Sequence, residues 1–159
     1  MIAALAAGLA VLLYARRGSK PQLEPAPAQS EERTADPLLE ALEPQPKERV
    51  LQLGLADDDE LTFGVAERLT GGKLEVFDRE QGAVDALVER ARTRGLRNVS
   101  GWHGDPDELL FETDRFDAAC VLADDVPKRE LERVVKPGGR LVVREGERYV
   151  ATLVAPAEG

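Results

Sequence analysis

Acidic side chains follow four apolar, strand-like segments of this sequence. They are Asp57 to Glu60 after RVLQLG (49–54), Asp78 at the end of LEVFD (74–78), Asp105 after VSGWH (99–103), and Asp124 with Asp125 after FDAACVLA (116–123). A carboxylate at the end of a strand can accept hydrogen bonds from both hydroxyls of a ribose. Asp78 could therefore bind the ribose of a nucleoside, or it could simply cap the helix that begins near Glu80.

Helix-like segments separate the strands. Apolar residues recur at helical spacing in 61–69, 81–94 and 128–135, further strands are expected at 139–143 and 149–155, and 105–110 is expected to form a short helix or turn. Alternating strands and helices with near-continuous apolar strands favour an α/β fold, Rossmann-like and doubly wound, with a mostly parallel sheet. In such a sheet the carboxyl ends of the strands form one edge, where ligands bind.

The composition excludes several classes of function. The 159 residues carry a formal net charge of −9, whereas nucleic-acid binding depends on Lys and Arg that neutralise phosphates. His103 is the one histidine and Cys120 the one cysteine, so neither a disulfide nor a Cys/His metal cluster can form within the chain. We expect no nucleic-acid partner and no metal centre.

The N-terminal part differs in composition from the rest. Residues 1–17 begin with an uncharged apolar run and end in Arg16 and Arg17. Fifteen helical residues rise about 22 Å, which is short of the roughly 30 Å hydrocarbon core of a bilayer. We expect a hydrophobic helix that anchors the protein in a membrane with the globular domain cytoplasmic, because positive charge follows the apolar run. A cleaved signal or a soluble helix is the alternative.

A linker is expected between this helix and the globular domain. Residues 18–46 hold six of the ten prolines among Glu, Gln and Ser, a composition typical of an extended tether. Within it, residues 37–43 have the sequence of a short helix, with a capping residue, proline at the first helical position and leucines on one face. The globular domain is expected over 47–159.

The order of these motifs resembles the class I S-adenosylmethionine-dependent methyltransferases. The resemblance covers residues 48–143: RVLQLG, the acid that ends LEVFD, the GD of GWHGDPDEL, FDAACVLADDV, and LERVVKPGGRLVV. It implies that S-adenosylmethionine is the cofactor. In that case the backbone at Gly54 approaches the methionine end, Asp78 binds the ribose, and Asp105 binds the adenine amino group.

The sequence departs from the family in two places. The family has an acid and three glycines where this chain has Gln52, Gly54, Ala56 and Asp58, so we predict a degenerate glycine motif in which Ala56 and Asp58 also line the cofactor. Sixteen residues follow Val143, which predicts a shortened C-terminus.

The acidic run 57–60 has two interpretations. Carboxylates there could attract the sulfonium and ammonium of the cofactor, or they could simply stabilise the N-terminus of the following helix.

Two functions follow from this reading. The first is methyl transfer to a small or membrane-associated acceptor, with Asp124 and Asp125 as weak candidates for a catalytic role and His103 as a possible base. The second is a catalytically inactive methyltransferase fold that serves as a membrane-anchored binding or interaction module. The methyl acceptor or protein partner is not specified by the sequence.

Overall fold

Strands and helices alternate along the part of the chain that a computed structural model describes, residues 36–156. The strands are β1 (Arg49–Leu53), β2 (Lys73–Asp78), β3 (Val99–His103), β4 (Phe116–Val121), β5 (Val135–Glu145) and β6 (Arg148–Leu153). The helices are α1 (Pro37–Leu42), α2 (Asp59–Arg68), α3 (Gln81–Thr93) and α4 (Lys128–Val134). The expected anchor at 1–17 and most of the expected linker lie outside these residues.

All six strands form one sheet in the order β3-β2-β1-β4-β5-β6. Neighbouring strands are parallel from β3 through β5, and β6 pairs antiparallel with β5. The chain leaves β1 towards β2 and β3 on one side, then crosses over to β4 on the other side. The prediction of a mostly parallel α/β sheet is confirmed, and the strand order reverses between β1 and β4.

One face of the sheet, called here the helical face, is covered by three helices. Successive residues of a strand point to opposite faces, so Val50 belongs to this face and Leu51 to the other. The helices contribute buried side chains from α1, α2 and α3 to one cluster: Leu38, Leu42, Phe63, Val65, Ala66, Leu87 and Ala91.

The opposite face, called here the crossing face, is covered differently. Helix α4 contributes Leu131 and Val134, and residues 104–115, the crossing segment, contribute Leu109 and Phe111. The crossing segment leads from β3 at the edge of the sheet to β4 at its centre. It contains turns rather than a helix, which decides between the two predictions made for 105–110.

Helix α1 lies in the stretch predicted to contain a short helix. The Asp36 side chain accepts a hydrogen bond from the Leu38 amide at 2.9 Å, and Leu38 and Leu42 are fully buried. Arg140 in β5 donates to the Leu42 carbonyl at 2.8 Å. The compact unit of the chain begins at Asp36, so α1 is part of it.

The fifth strand was predicted to begin only at Gly139, and this boundary was wrong for the Lys136–Gly139 stretch. β5 already begins at Val135, and the stretch is a bulge opposite Asp117, because the register passes from Phe116 with Val135 to Ala118 with Arg140. Lys136 donates to Asp117 at 2.9 Å, and the Gly138 amide donates to the Val154 carbonyl at 2.8 Å. These partners on both sides keep the segment within the sheet.

Within residues 36–156, no helix has both the length and the apolar character that a bilayer crossing requires.

Candidate functional site

The turn after β1 lies where the strand order reverses, and Gly54 is its first residue. Its amide donates to the Phe77 carbonyl at 2.8 Å, and its φ of +88° suits glycine. A Cβ at this position would come within 2.7 Å of the Ala123 nitrogen. Gly54 is therefore required by the contact between the ends of β1 and β4, whether or not a ligand is bound.

Gln52 holds the backbone of this turn from inside the core. Its fully buried side chain donates from Nε2 to the Gly54 carbonyl at 3.0 Å and accepts from the Thr62 hydroxyl of α2 at 3.0 Å. A carboxylate in its place could not donate to a carbonyl. The chain thus replaces the acid of the expected motif by a neutral link between the turn and α2, a role that sequence reasoning missed although Gln52 stands out in an apolar strand.

The acidic run is largely engaged by helices. Asp58 precedes α2, and its carboxylate accepts from the Glu60 amide at 2.9 Å as a helix cap. Asp59 forms a bidentate ion pair with Arg90 of α3, and Glu60 forms one with Arg94, the residue that caps the end of α3. The interpretation that these acids stabilise the start of α2 accounts for all three.

Two other residues of the turn have no such role. Asp57 is exposed and forms no hydrogen bond or ion pair with residues 36–156 through its side chain, and Ala56 is half-buried beside the helical-face core. Ala56 and Asp58 therefore lie in the turn where the cofactor was predicted, with the Asp58 carboxylate directed to the helix backbone.

Asp78 ends β2 next to this turn. One of its carboxylate oxygens accepts from the Glu80 amide at 3.0 Å, and its other oxygen accepts no hydrogen bond from the described residues. The Asp78 carbonyl accepts from the Gly104 amide at 3.2 Å, which joins the end of β2 to the end of β3. A half-buried carboxylate with one open oxygen is suited to a donor such as a hydroxyl.

Asp105 follows at the beginning of the crossing segment. Its side chain accepts from the Asp107 amide at 3.0 Å and lies 4.0 Å from the Arg79 guanidinium. The backbone contacts of Gly54 with Phe77 and of Asp78 with Gly104 bring three of the five predicted cofactor positions, Gly54, Asp78 and Asp105, to one edge of the sheet.

Known proteins are similar to this chain in sequence and in fold. A 2-phytyl-1,4-naphtoquinone methyltransferase of Synechococcus elongatus is 35% identical over 120 residues, which cover 69% of this chain and 51% of that protein. A demethylmenaquinone methyltransferase of Clavibacter sepedonicus is 34% identical over 112 residues, 66% of this chain and 44% of that protein. No protein-family model matches the chain.

Solved structures agree in fold. Geranyl diphosphate methyltransferase in complex with SAM superposes with a TM-score of 0.59 at 22% identity, over 67% of this chain and 45% of that one. The [4+2]-cyclase SpnF gives 0.58 at 26% identity, over 69% and 45%. These similarities confirm the resemblance to the class I S-adenosylmethionine-dependent methyltransferases that the sequence predicts. The chain spans about half the length of the curated relatives that it matches.

On the crossing face, an aromatic cluster packs beside the candidate site of this methyltransferase-like domain. Phe111 makes edge-to-face contacts with Phe77, Trp102 and Phe116, with ring centroids 6.0, 5.5 and 5.0 Å apart. Trp102 packs in this cluster and is still 43% exposed, one residue before the end of β3. It is the only tryptophan of the chain, so its fluorescence reports on this edge.

The catalytic candidates of the domain lie at two places on the edge, with Asp124 and Asp125 after β4 and His103 at the end of β3. The side chain of Asp124 is 99% exposed and lies 3.4 Å from Arg144, and Asp125 and His103 are exposed. Cys120 is fully buried, and burial raises the pKa of its thiol to about 12, so it stays protonated in the core at neutral pH. Among residues 36–156, no cluster of His, Cys, Asp and Glu is arranged to hold a metal ion.

A depression of about 490 Å³ lies away from this edge, at the amino end of β4 beside Thr113, Asp114 and Pro137. The candidate site is identified instead by carboxylates at the carboxyl ends of the parallel strands, which is the edge where sheets of this kind bind ligands.

Proposed function

We propose that the domain binds S-adenosylmethionine and transfers its methyl group to an acceptor of the naphthoquinone class. The observation that carries the proposal is the placement of Asp78 and Asp105 on adjacent strand ends next to the Gly54 turn. Two relatives named as methyltransferases of a phytyl naphthoquinone and of demethylmenaquinone support the acceptor class. Such an acceptor would be membrane-associated because of its hydrocarbon tail.

Each residue would contribute through an atom that the geometry leaves available. The open oxygen of Asp78 would accept from a ribose hydroxyl, and Asp105, which is largely exposed, would accept from the adenine amino group. The backbone of Gly54, Ala56 and Asp58 would line the methionine end. Asp57, exposed in the same turn, would attract the positive charges of the ligand at longer range.

The chemistry itself demands little beyond positioning. A carbon or oxygen of the acceptor would attack the methyl carbon in line with the bond to sulfur, the C–S bond would break with its electron pair moving to sulfur, and the acceptor would lose a proton. His103, Asp124 and Asp125 are the exposed groups on this edge that could take the proton.

Titration of the full chain with S-adenosylmethionine tests cofactor binding. We expect micromolar affinity, a change in Trp102 fluorescence, and roughly tenfold or greater weakening in Asp78→Ala, because a charge-assisted hydrogen bond contributes about 1.5–3 kcal/mol. Asp85→Ala is the matched control, since Asp85 is an exposed acid on α3 whose side chain forms no hydrogen bond or ion pair with residues 36–156. Transfer of a labelled methyl group to a prenylated naphthoquinol then tests the acceptor class.

A second function, a binding module without catalysis, is favoured by one set of observations. Gln52 replaces the acid of the motif, and Ala56 and Asp58 replace its glycines. In addition, the fold neighbour SpnF is named a [4+2]-cyclase, so this fold hosts other activities. If wild-type protein shows no binding of S-adenosylmethionine or its demethylated product at millimolar concentration, this second function replaces the first.

We also propose that residues 1–17 anchor the protein, with the domain cytoplasmic, because a membrane-dissolved acceptor favours an enzyme held at the bilayer. Flotation of the full chain with lipid vesicles, compared with a chain that starts at Gly18, tests the anchor. Equal flotation of the two would contradict it.

A further inference from the structure

The crossing segment, residues 104–115, carries Asp105 but has no helix or strand of its own to hold it. Its backbone amides and carbonyls must therefore find partners elsewhere. Leu109 and Phe111 are buried in the crossing-face core, whereas Leu110 between them is 85% exposed. The segment is thus fixed by two buried side chains and by whatever binds its backbone.

Two charged residues of α4 bind that backbone. Glu130 accepts from the Leu109 amide at 2.9 Å, and Arg133 donates to the Leu109 carbonyl at 2.7 Å and to the Phe111 carbonyl at 2.8 Å. The Arg133 carbonyl in turn accepts from the Asp114 amide at 2.9 Å. The segment is therefore clamped on both sides of the exposed Leu110.

The two clamping residues also hold each other. Arg133 donates to both oxygens of Glu130, at 3.0 and 2.7 Å. This hydrogen bond is the main reason that the pKa of Glu130 is lowered and that of Arg133 is raised. A planar guanidinium can satisfy a carboxylate and two carbonyls at once, which an ammonium cannot do with the same geometry.

Helix α4 connects this clamp to the other half of the candidate site. It starts at Lys128, directly after the loop that carries Asp124 and Asp125. A depression of about 360 Å³ between the two loops is lined by residues of both, including Asp107 and Val126. The same helix therefore bounds the β4 loop and grips the segment that follows β3.

We propose that Glu130 and Arg133 are positioning residues that fix Asp105 for cofactor binding through the backbone of the crossing segment. The assignment rests on the proposed function. Neither residue need touch the cofactor. Their effect on binding passes through Asp105 and not through Asp78, because Asp78 belongs to β2.

A double-mutant cycle on the full chain tests the assignment, with the dissociation constant of S-adenosylmethionine as the readout. Arg133→Lys keeps the charge and loses the planar fork, and we expect it to weaken binding about five- to tenfold. Combined with Asp105→Ala it should add little further loss, whereas combined with Asp78→Ala the two losses should multiply. Glu132→Gln is the control, since Glu132 forms only an exposed pair with Lys128 on the same helix.

Amide hydrogen exchange supplies a readout that does not depend on ligand. In Arg133→Lys the Leu109 amide should exchange faster, with the amides of β1 unchanged. If Arg133→Lys does not fold, Glu130→Ala serves instead, because it removes the acceptor of the Leu109 amide.

The outcomes separate the two proposals. If wild-type protein binds no S-adenosylmethionine, the proposed function fails and the assignment fails with it. If wild-type protein binds but Arg133→Lys binds equally well, or its loss multiplies with that of Asp105→Ala, only the positioning role is overturned.

Discussion

The two faces of the sheet are covered by different means. On the helical face, apolar side chains of α1, α2 and α3 pack on the strands. The acids at the start of α2 form ion pairs with Arg90 of α3 and with Arg94, which follows α3. On the crossing face, the seven-residue helix α4 and the turns of the crossing segment cover the strands. There the side chains of Glu130 and Arg133 form hydrogen bonds with the backbone of the crossing segment. An ion pair with a buried carboxylate adds a second polar contact.

That buried pair joins Glu75, whose side chain is 1% exposed in the middle of β2, to Arg115 at the end of the crossing segment. Both guanidinium contacts are short, 3.0 and 2.8 Å, and the same guanidinium lies over the rings of Phe111 and Phe116. The crossing face, which has little helix, is therefore closed by specific polar contacts in which each charged group depends on its partner.

The largest loss of stability is expected for Arg115→Met. It leaves the Glu75 carboxylate buried without its partner, so we expect a loss of about 3–5 kcal/mol in the free energy of unfolding, measured by urea denaturation. The double variant Glu75→Leu/Arg115→Met should recover much of that loss, because no charge is then left buried. A loss in the double variant as large as in the single one would show that packing, not charge, is responsible.

On the helical face, Leu38→Ala should remove about 2–5 kcal/mol, because Leu38 is fully buried and a cavity remains. Leu110→Ala on the crossing segment is the matched control and should change stability by less than about 0.5 kcal/mol, since Leu110 is exposed. Thermal denaturation of both variants checks the pair. An unchanged melting temperature in Leu38→Ala would mean that α1 is not part of the core in solution.

A smaller effect is expected where the acidic run meets α2. Asp58→Ala removes the helix cap and should cost about 1 kcal/mol, whereas Asp57→Ala should cost almost nothing. Urea denaturation of both variants at low salt distinguishes them. Equal losses would contradict the assignment of different roles to these neighbouring acids.

The smallest effect concerns pH on the crossing face. The hydrogen bond from Arg133 lowers the pKa of Glu130 below its ordinary value of 4.5. Stability from this carboxylate is therefore fully present above pH 4.5 and is lost as the pH falls through the lowered pKa. Glu130→Gln should be less stable than wild type at neutral pH and lose less stability on acidification. If the stabilities of wild type and Glu130→Gln change in parallel from pH 6 to about pH 3, this prediction is wrong.

Much of the helical face could be predicted from the sequence. The apolar strands β1, β2 and β4 and the helical spacing within α2 and α3 were recognised because each signal lies within a few neighbouring residues. The positions of Gly54, Asp78 and Asp105 followed, since parallel strands in this order must end at one edge. The comparisons confirm the resemblance that this order indicates.

The crossing face was beyond such reasoning. The sequence around residues 105–110 does not distinguish a helix from a turn. The start of the fifth strand was placed too late, at Gly139, because proline and glycine are typical of a break before a strand rather than of its interior. The bulge forms only because Asp117 and Val154 supply partners from other strands. Likewise, the Glu75 partner of Arg115 and the backbone carbonyls that bind Arg133 lie in other elements, so they leave no local pattern.

The sequence by itself determined which segments become strands and helices, and which acids lie at the carboxyl ends of the strands. The reason is that the spacing of apolar residues along a segment shows which of its faces is buried. Tertiary structure alone decided that Asp58 to Glu60 serve α2 and its contact with α3, that Gln52 replaces an acid by a neutral link, and that Glu130 and Arg133 hold the crossing segment. A charged or amide side chain can pair with any suitable group within reach, so its partner is selected only when folding brings distant residues together.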